Sequence, residues 1–522
     1  MNRKTNLQYL SNGQKWDIMV IGGGATGLGI ALDAASRGYK TFLCEKGDFA
    51  QGTSSKSTKL IHGGVRYLKQ GNIKLVLEAL KERGILFKNA PHLIHNQEFI
   101  IPFYTWWDFL LYSIGLRFYD TLSGKWSMGK SKNLSRISVM NKLPNVKTEK
   151  LKGGIRYFDG QFDDARLAIS LAQTAVDYGA CLINYMETTA ITKTGEGKIR
   201  GIELIDHITG QTYSIQGKIL INATGVYSNA IAKLDDAMAK PHLSPSQGIH
   251  LVLDKSFLPS SSALMIPETP DGRVLFAIPW QNKLILGTTD TPVNDIELNP
   301  APLKTEIDFI LNTASSYLIH KPAYKDIESI YVGLRPLAAR TKENSSTKEI
   351  SRSHKIWVSD SGMVNIIGGK WTTYRIMAEE TLNFALKKSD LPFLACLTTQ
   401  IKLHGYTEDK PYDYTAIYGS DRVSVLKLAH SDEKLLEKIH PEYPFIQAEI
   451  LWAIRNEMAM NLTDLLGRRF RWLFLNVAIA REVAPGVAKI MAEEMGMGEN
   501  WQNDQIKEFY ETSNHYLAAA AH

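Results

Sequence analysis

The stretch DIMVIGGGATGLGIALDAASRGYKTFLCE, residues 17–45, decides the fold. Its apolar start, Ile18 to Ile21, reads as a buried strand. The strand enters a glycine turn in which Gly22, Gly24 and Gly27 take the spacing G-x-G-x-x-G. A helix-like segment rich in Ala and Leu follows, then Gly38, then a second apolar run, Thr41 to Cys44, that ends at Glu45. This order suits a dinucleotide. Gly22 permits the tight turn, Gly24 lets the backbone approach a pyrophosphate, and Gly27 lets the helix pack close to the strand, with the helix N-terminus facing the phosphate charge. Glu45 stands where a carboxylate accepts hydrogen bonds from ribose hydroxyls.

Working outward, 522 residues exceed one ordinary core, and two or three domains are expected. With 44% hydrophobic and 22% charged residues the composition is globular and excludes a disordered chain. A net charge of +6 and a pI of about 8.8 favour anionic ligands or surfaces without naming one, and nucleic acid is not an expected partner. Cys44, Cys181 and Cys396 lie far apart, with neither metal-ligand spacing nor a disulfide framework, so no metal and a reducing compartment are expected. The polar N-terminus lacks the apolar centre of a signal peptide, and no apolar run reaches the roughly 20 residues of a membrane span.

Residues 73–89 read as an amphipathic helix, and Asp164 as the N-cap of a helix through Tyr178. Residues 181–222 and 249–290 are β-like, 304–320 helical, and the chain is mostly helical from about 390. The middle strands cannot all join one parallel sheet, so a mixed sheet beside the nucleotide domain is expected. The boundary falls near Leu391–Lys410.

Several segments carry chemistry. Ser54, Ser55 and Lys59 follow the second strand, at the edge where open α/β sheets bind ligands. In HGGVRYL, 62–68, the flexible pair Gly63–Gly64 joins His62 to a cation, Arg66, and a phenol, Tyr67. Ala223, Thr224 and Gly225 end the run KILINA in a turn that can pass close to a cofactor. Gly368, Gly369 and Lys370 precede a helix beginning near Thr372, and a cation at a helix start points to an anionic neighbour. Arg335 interrupts an apolar run in GLRPL, 333–337, which predicts a buried anionic partner, and Arg352 lies in SRSH. His250 lies on a strand, in GIHLVL.

Together, the glycine turn, HGGVRYL, ATG (223–225), GLRPL and GGKWTTYR (368–375) resemble the FAD-dependent glycerol-3-phosphate dehydrogenases, within the wider glycine oxidase and D-amino-acid oxidase group. The tail segment NLTDLLGRRFRW, 461–472, is similar to that family's C-terminal domain. The resemblance implies an α/β fold: a Rossmann-like FAD-binding domain interleaved with a mixed-sheet substrate domain over residues 16–390, and a C-terminal α-helical domain over 391–522. It implies flavin contacts from Ser54, Ser55, His62, Gly63, Gly64, Ala223, Gly225, Gly369 and Thr372, besides Gly22, Gly24, Gly27 and Glu45. It places Arg66 and Tyr67 beside the flavin ring and Arg335, Arg352 and Lys370 near a substrate phosphate, with His250 the first candidate for the base. The implied reaction takes sn-glycerol 3-phosphate to dihydroxyacetone phosphate by hydride transfer to FAD.

Reoxidation by a quinone requires access to a membrane. Trp107, Leu110, Leu111, Ile114 and Phe118 recur at helical spacing. Beside them Lys125, Lys130, Lys132, Arg136, Lys142, Lys147, Lys150 and Lys152 face one acid, Glu149. An apolar face next to cations suits a peripheral or monotopic contact, expected at the cytoplasmic face of the inner membrane. Two alternatives remain: an oxygen-using alpha-glycerophosphate oxidase, disfavoured because no insertion precedes the C-terminal domain, and a non-enzymatic FAD- or partner-binding protein. The C-terminal helices are open to dimerisation, regulation or covering the site.

Overall fold

The computed structural model describes residues 1–64, 72–269, 272–338, 354–409 and 414–520. The run Lys15–Ile21 is a central strand, paired in parallel with Thr41–Cys44 on one side and Thr212–Asn222 on the other. From Ile18 to Ile21 both of its faces are covered, which is why that part is continuously apolar rather than alternating. Cys181–Ile183 extends the sheet beyond Thr41–Cys44; Val364–Ile367 and then Lys355–Val358 extend it at the other edge. The helix Ala25–Ser36 lies almost wholly buried between Asp164–Asp177 and Tyr374–Leu386. Gly29 makes this possible, because a Cβ there would stand 2.8 Å from the Tyr374 ring.

A second, mixed sheet of ten strands contains Leu60–Ile61, Ile94–Phe103, Gly153–Phe162, Ser246–Asp254, Lys283–Gly287 and Ile327–Arg335 among others. The chain enters this sheet twice, at 60–162 and at 246–335, and returns each time to the first. The interleaving expected from the sequence is therefore present. Ser246–Asp254 runs antiparallel between Lys283–Gly287 and Ile327–Arg335, with His250 opposite both Gly287 and Tyr331.

Two local expectations change. The helix over 164–177 is capped by Asp163, whose side chain accepts from the Arg166 amide at 3.0 Å. Either of two adjacent aspartates can cap; a buried cation, Lys59, claims Asp164 instead. The helix expected over 304–320 ends at Tyr317.

Helices Gln447–Glu457, Val477–Met495 and Glu499–Asn514 form the C-terminal domain. Its core around Phe470, Trp472 and Leu473 continues into Val252, Trp280 and Tyr331 of the second sheet. The helix Trp106–Ser123 buries Leu116 and Tyr119 and leaves Trp106, Trp107, Leu110, Leu111, Ile114 and Phe118 exposed; Trp107 is 71% exposed. No helix among the described residues is long and apolar enough to cross a membrane.

Candidate active site

The glycine turn forms because the strand Lys15–Ile21 must reverse against the end of Thr212–Asn222. Gly22 has φ +112°, and a Cβ there would lie 2.7 Å from the Ala223 carbonyl. Gly27 sits so close to the turn that a Cβ would meet the Gly22 carbonyl at 1.8 Å. Glu45, at the tip of the next strand, accepts from the amides of Gly23 at 2.6 Å and Gly47 at 2.9 Å. Burial raises its carboxyl above the usual range, and those two amides work against the rise. Ser54 Oγ accepts from the Ala25 amide at 2.9 Å, at the start of the helix. Gly24 faces this hydroxyl: a Cβ there would stand 3.1 Å from it.

Beside the turn a cavity of about 310 Å³ opens between the two sheets. His62, Gly64, His250, Arg335, Gly369 and Lys370 reach it. Gly63 donates to the Tyr119 hydroxyl at 3.1 Å and to Asp159 at 3.3 Å, and Asp159 is ion-paired with Arg83. Gly368 and Gly369, with φ +83° and +75°, turn the chain from Val364–Ile367 into the helix Tyr374–Leu386, with Lys370 at the entry. A side chain at Gly369 would collide with the Met377 sulfur at 2.2 Å.

His250 is 3% exposed. Its ring stacks on Tyr331 at 4.7 Å, and Nε2 lies 2.9 Å from Thr58 Oγ1. Nδ1 has no hydrogen-bond partner among the described residues. Burial, reinforced by the positive charges of Lys59 and Arg335, holds the imidazole well below its ordinary pKa. Burial and these cations favour the neutral ring, which keeps one nitrogen lone pair as an acceptor. Gly287 opposite is required, since a Cβ there would stand 2.2 Å from Cδ2.

Arg335 finds the anionic partner its apolar setting predicts: Nη1 donates to Asp290 Oδ1 at 3.1 Å and to the Gln247 carbonyl at 3.1 Å. Nη2 donates to Thr289 O at 2.8 Å and Thr288 Oγ1 at 3.2 Å.

Residues 17–375 match the FAD dependent oxidoreductase family, and 362–505 match the C-terminal domain of alpha-glycerophosphate oxidase. The chain belongs to the FAD-dependent oxidoreductase family. It is 39% identical to the mitochondrial glycerol-3-phosphate dehydrogenases of Macaca fascicularis and Homo sapiens, over 99% of this chain and 75% of theirs. The glycerol-3-phosphate dehydrogenase of Bacillus halodurans, solved with FAD, is 29% identical with a TM-score of 0.80, over 99% of this chain and 98% of that one. The L-alpha-glycerophosphate oxidase of Mycoplasma pneumoniae, 16% identical with a TM-score of 0.54 over 77% and 98%, shares the fold alone.

The FAD of this family fits the turn described. A side chain at Gly22, Gly24 or Gly27 would crowd it, a helix N-terminus supplies donors for a pyrophosphate, and Glu45 supplies lone pairs for ribose. Ala223 and Gly225, the latter at φ +57°, flank the turn from the neighbouring strand. Thr372 Oγ1 accepts from the His62 amide at 3.3 Å and joins the segments 62–64 and 368–373. Ser55 is buried, its hydroxyl 3.4 Å from the Gly52 carbonyl. Lys59, read beside the serines as a cation for the cofactor, is instead buried on Asp164 at 2.7 Å. Arg66, Tyr67 and Arg352 lie outside the described residues.

Three cavity residues escaped the sequence reading. Thr58 and Asp290 sit in ordinary polar strings, STK and TTD, and only the tertiary fold brings them to His250 and Arg335. Lys56 is buried at the cavity wall, with Nζ 2.7 Å from the Leu298 carbonyl and 3.0 Å from Asn299 Oδ1. Burial, aided by Arg468, brings its pKa down to about 7. A lysine in a Ser/Thr-rich loop gives no sequence signal of such burial.

Proposed function

We propose that this chain oxidises sn-glycerol 3-phosphate to dihydroxyacetone phosphate with FAD and passes the electrons to a quinone at a membrane surface. One observation carries the reading: a buried histidine, His250, shares a cavity with Arg335 and Lys370, and Thr53 on its wall adjoins Ser54 at the dinucleotide turn. A phosphorylated alcohol needs both halves, cations for the dianion and a base for the hydroxyl proton.

In this reading Arg335 and Lys370 hold the phosphate, and Arg66, Tyr67 and Arg352 are assigned to the same substrate site. His250 is the base for the C2 hydroxyl proton, and Thr58 Oγ1, 2.9 Å from Nε2, fixes the ring. When bound, FAD accepts the hydride from C2. The amides leading from Lys370 into the helix Tyr374–Leu386 favour negative charge nearby. The oxidoreductase region is taken as residues 16–390 and the helical domain as 391–522.

The exposed face of Trp106–Ser123 supports the membrane contact, since a core helix would bury those side chains. Lys125, Lys130, Lys132, Arg136, Lys150 and Lys152 are exposed beside it. Lys142 is paired with Glu98 at 2.7 Å and contributes less. The surface assigned is the cytoplasmic face of the inner membrane. The deciding experiment reduces the purified flavoprotein with glycerol 3-phosphate, then offers oxygen or a short-chain quinone. Bleaching by glycerol 3-phosphate but not glycerol, followed by fast reoxidation by quinone only, is expected. No bleaching rejects the substrate; fast reoxidation by oxygen makes the protein an oxidase.

A further inference from the structure

The C-terminal domain sends three arginines of one short segment, Arg468, Arg469 and Arg471, into the first domain, all at most 4% exposed. All three converge on the loop 45–59. Arg468 Nε and Arg469 Nη1 each lie 2.5 Å from Asp48 Oδ2, three residues beyond Glu45. Arg471 Nη2 donates to the Ser55 carbonyl at 2.8 Å and to Asp164 Oδ1 at 2.9 Å. Lys59 Nζ also reaches the Ser55 carbonyl at 2.8 Å, and Asp164 Oδ2 accepts from the amide and hydroxyl of Ser57. The loop so gripped is shared by both halves of the site. Its near end holds Glu45 against Gly23, its middle places Ser54 at the start of Ala25–Ser36, and its far end brings Thr58 to His250.

A second line joins the same parts. Phe474 packs on the Arg471 guanidinium at 4.2 Å and on Tyr331 at 5.2 Å; Tyr331 stacks on His250 and donates to the Ser57 carbonyl. Lys59 and Arg471 both adopt the left-handed region, φ +62° and +67°, which non-glycine residues keep only where their surroundings dictate it. Docking as such needs none of this, because the apolar contact of Trp472 and Phe470 with Val252 and Trp280 already buries the interface. Buried ion pairs often add little net stability, because desolvation offsets their attraction.

We propose that the C-terminal domain positions the active site: Arg468 and Arg469 anchor the Glu45 end of the loop, and Arg471 is a positioning residue for the Ser55–Thr58 end that faces FAD and His250. The inference rests on the reading of the cavity given above only for its kinetic arm; its FAD-binding arm does not depend on the substrate.

The test uses the full-length holoenzyme. Arg471→Met should raise the FAD dissociation constant about tenfold and, at saturating FAD, lower kcat by about tenfold or more, as displacement of a catalytic constellation does. KM for glycerol 3-phosphate should stay near the wild-type value, because Arg335 is held by other residues. Arg471→Lys, which keeps the charge but loses the fork, should recover part of both. Arg455→Gln, which breaks the exposed pair with Glu494 in the same domain, should alter neither. A lower melting temperature in Arg471→Met with wild-type FAD affinity and kcat would make the arginine domain glue and overturn the proposal. Should Arg471→Met not fold, Phe474→Leu keeps every charge and should show the same two effects; wild-type values there overturn the proposal equally. A protein with no glycerol 3-phosphate activity but a weakened FAD affinity in Arg471→Met rejects the substrate and leaves the positioning role standing.

Discussion

Replacing Arg335 by leucine separates the phosphate recognition we propose from the scaffolding that the structure shows. Its two terminal nitrogens hold the Gln247 and Thr289 carbonyls, Thr288 Oγ1 and Asp290 Oδ1. Asp290, 7% exposed, keeps a 2.7 Å bond from Ser246 Oγ in the variant but loses this cation. Leaving such buried acceptors short should lower stability by about 1–3 kcal/mol. The charge-assisted contact to the substrate phosphate is worth about 1.5–3 kcal/mol, or roughly tenfold to a hundredfold in kcat/KM. Adding Asp290→Asn should therefore recover most of the melting temperature while kcat/KM stays low. Arg335→Lys should recover only part of the activity, since the fork is lost. The assay compares kcat/KM for glycerol 3-phosphate and for glycerol, alongside thermal unfolding. Glycerol turnover, poor in the wild type, should fall by much less. Equal losses with the two substrates would refute the reasoning and assign Arg335 to the fold or the flavin.

Other outcomes follow from particular contacts. Glu45→Leu should weaken FAD binding, measured by flavin fluorescence on dilution, because the Gly23 and Gly47 amides lose their acceptor and the ribose its partner; unchanged affinity would remove Glu45 from the site. His404 lies between Asp177 at 2.6 Å and Asp421 at 2.8 Å, and bonding first to Asp177 and then to Asp421 raises its pKa to about 9. A raised folded-state pKa stabilises fully below the unfolded value of 6.5 and ceases to do so as pH climbs through about 9. His404→Gln should thus cost about 1–2 kcal/mol at pH 6, allowing for the half-exposed Asp177, and little at pH 9.5; a deficit in melting temperature that does not change with pH would contradict this. Changing Lys125, Lys130 and Lys132 to Gln should reduce co-sedimentation with anionic vesicles, each lysine contributing about 1 kcal/mol at low salt. Turnover with a soluble dye should be unaffected, and a wild-type protein that ignores vesicles at low salt would end the membrane reading.

The dinucleotide turn was legible in the sequence because everything that makes it is local: strand, three glycines, helix and acid lie within 29 residues, and each residue type answers a steric or charge demand set by its chain neighbours. The mixed sheet was legible as a count of strands that one parallel sheet cannot hold. The identity of Arg335's partner was not, since Asp290 is 45 residues away and meets it only through strand pairing, though an arginine in an apolar run announced that some anion must be there. Lys59 read as a cation for the cofactor and is instead buried on Asp164, because nothing in STKL records that Asp164 and Arg471 close over it. Periodicity from Trp107 to Phe118 is the same for a core helix and a surface one; the fold decided it by packing Leu116 and Tyr119 inward and leaving the larger apolar face uncovered. Sequence alone thus determined the local geometry and which residue types could do the chemistry. Which charges are paired, which faces meet water, and how the segment 468–471 reaches a loop more than 400 residues earlier depend on contacts between distant parts of the chain, which only the tertiary structure brings together.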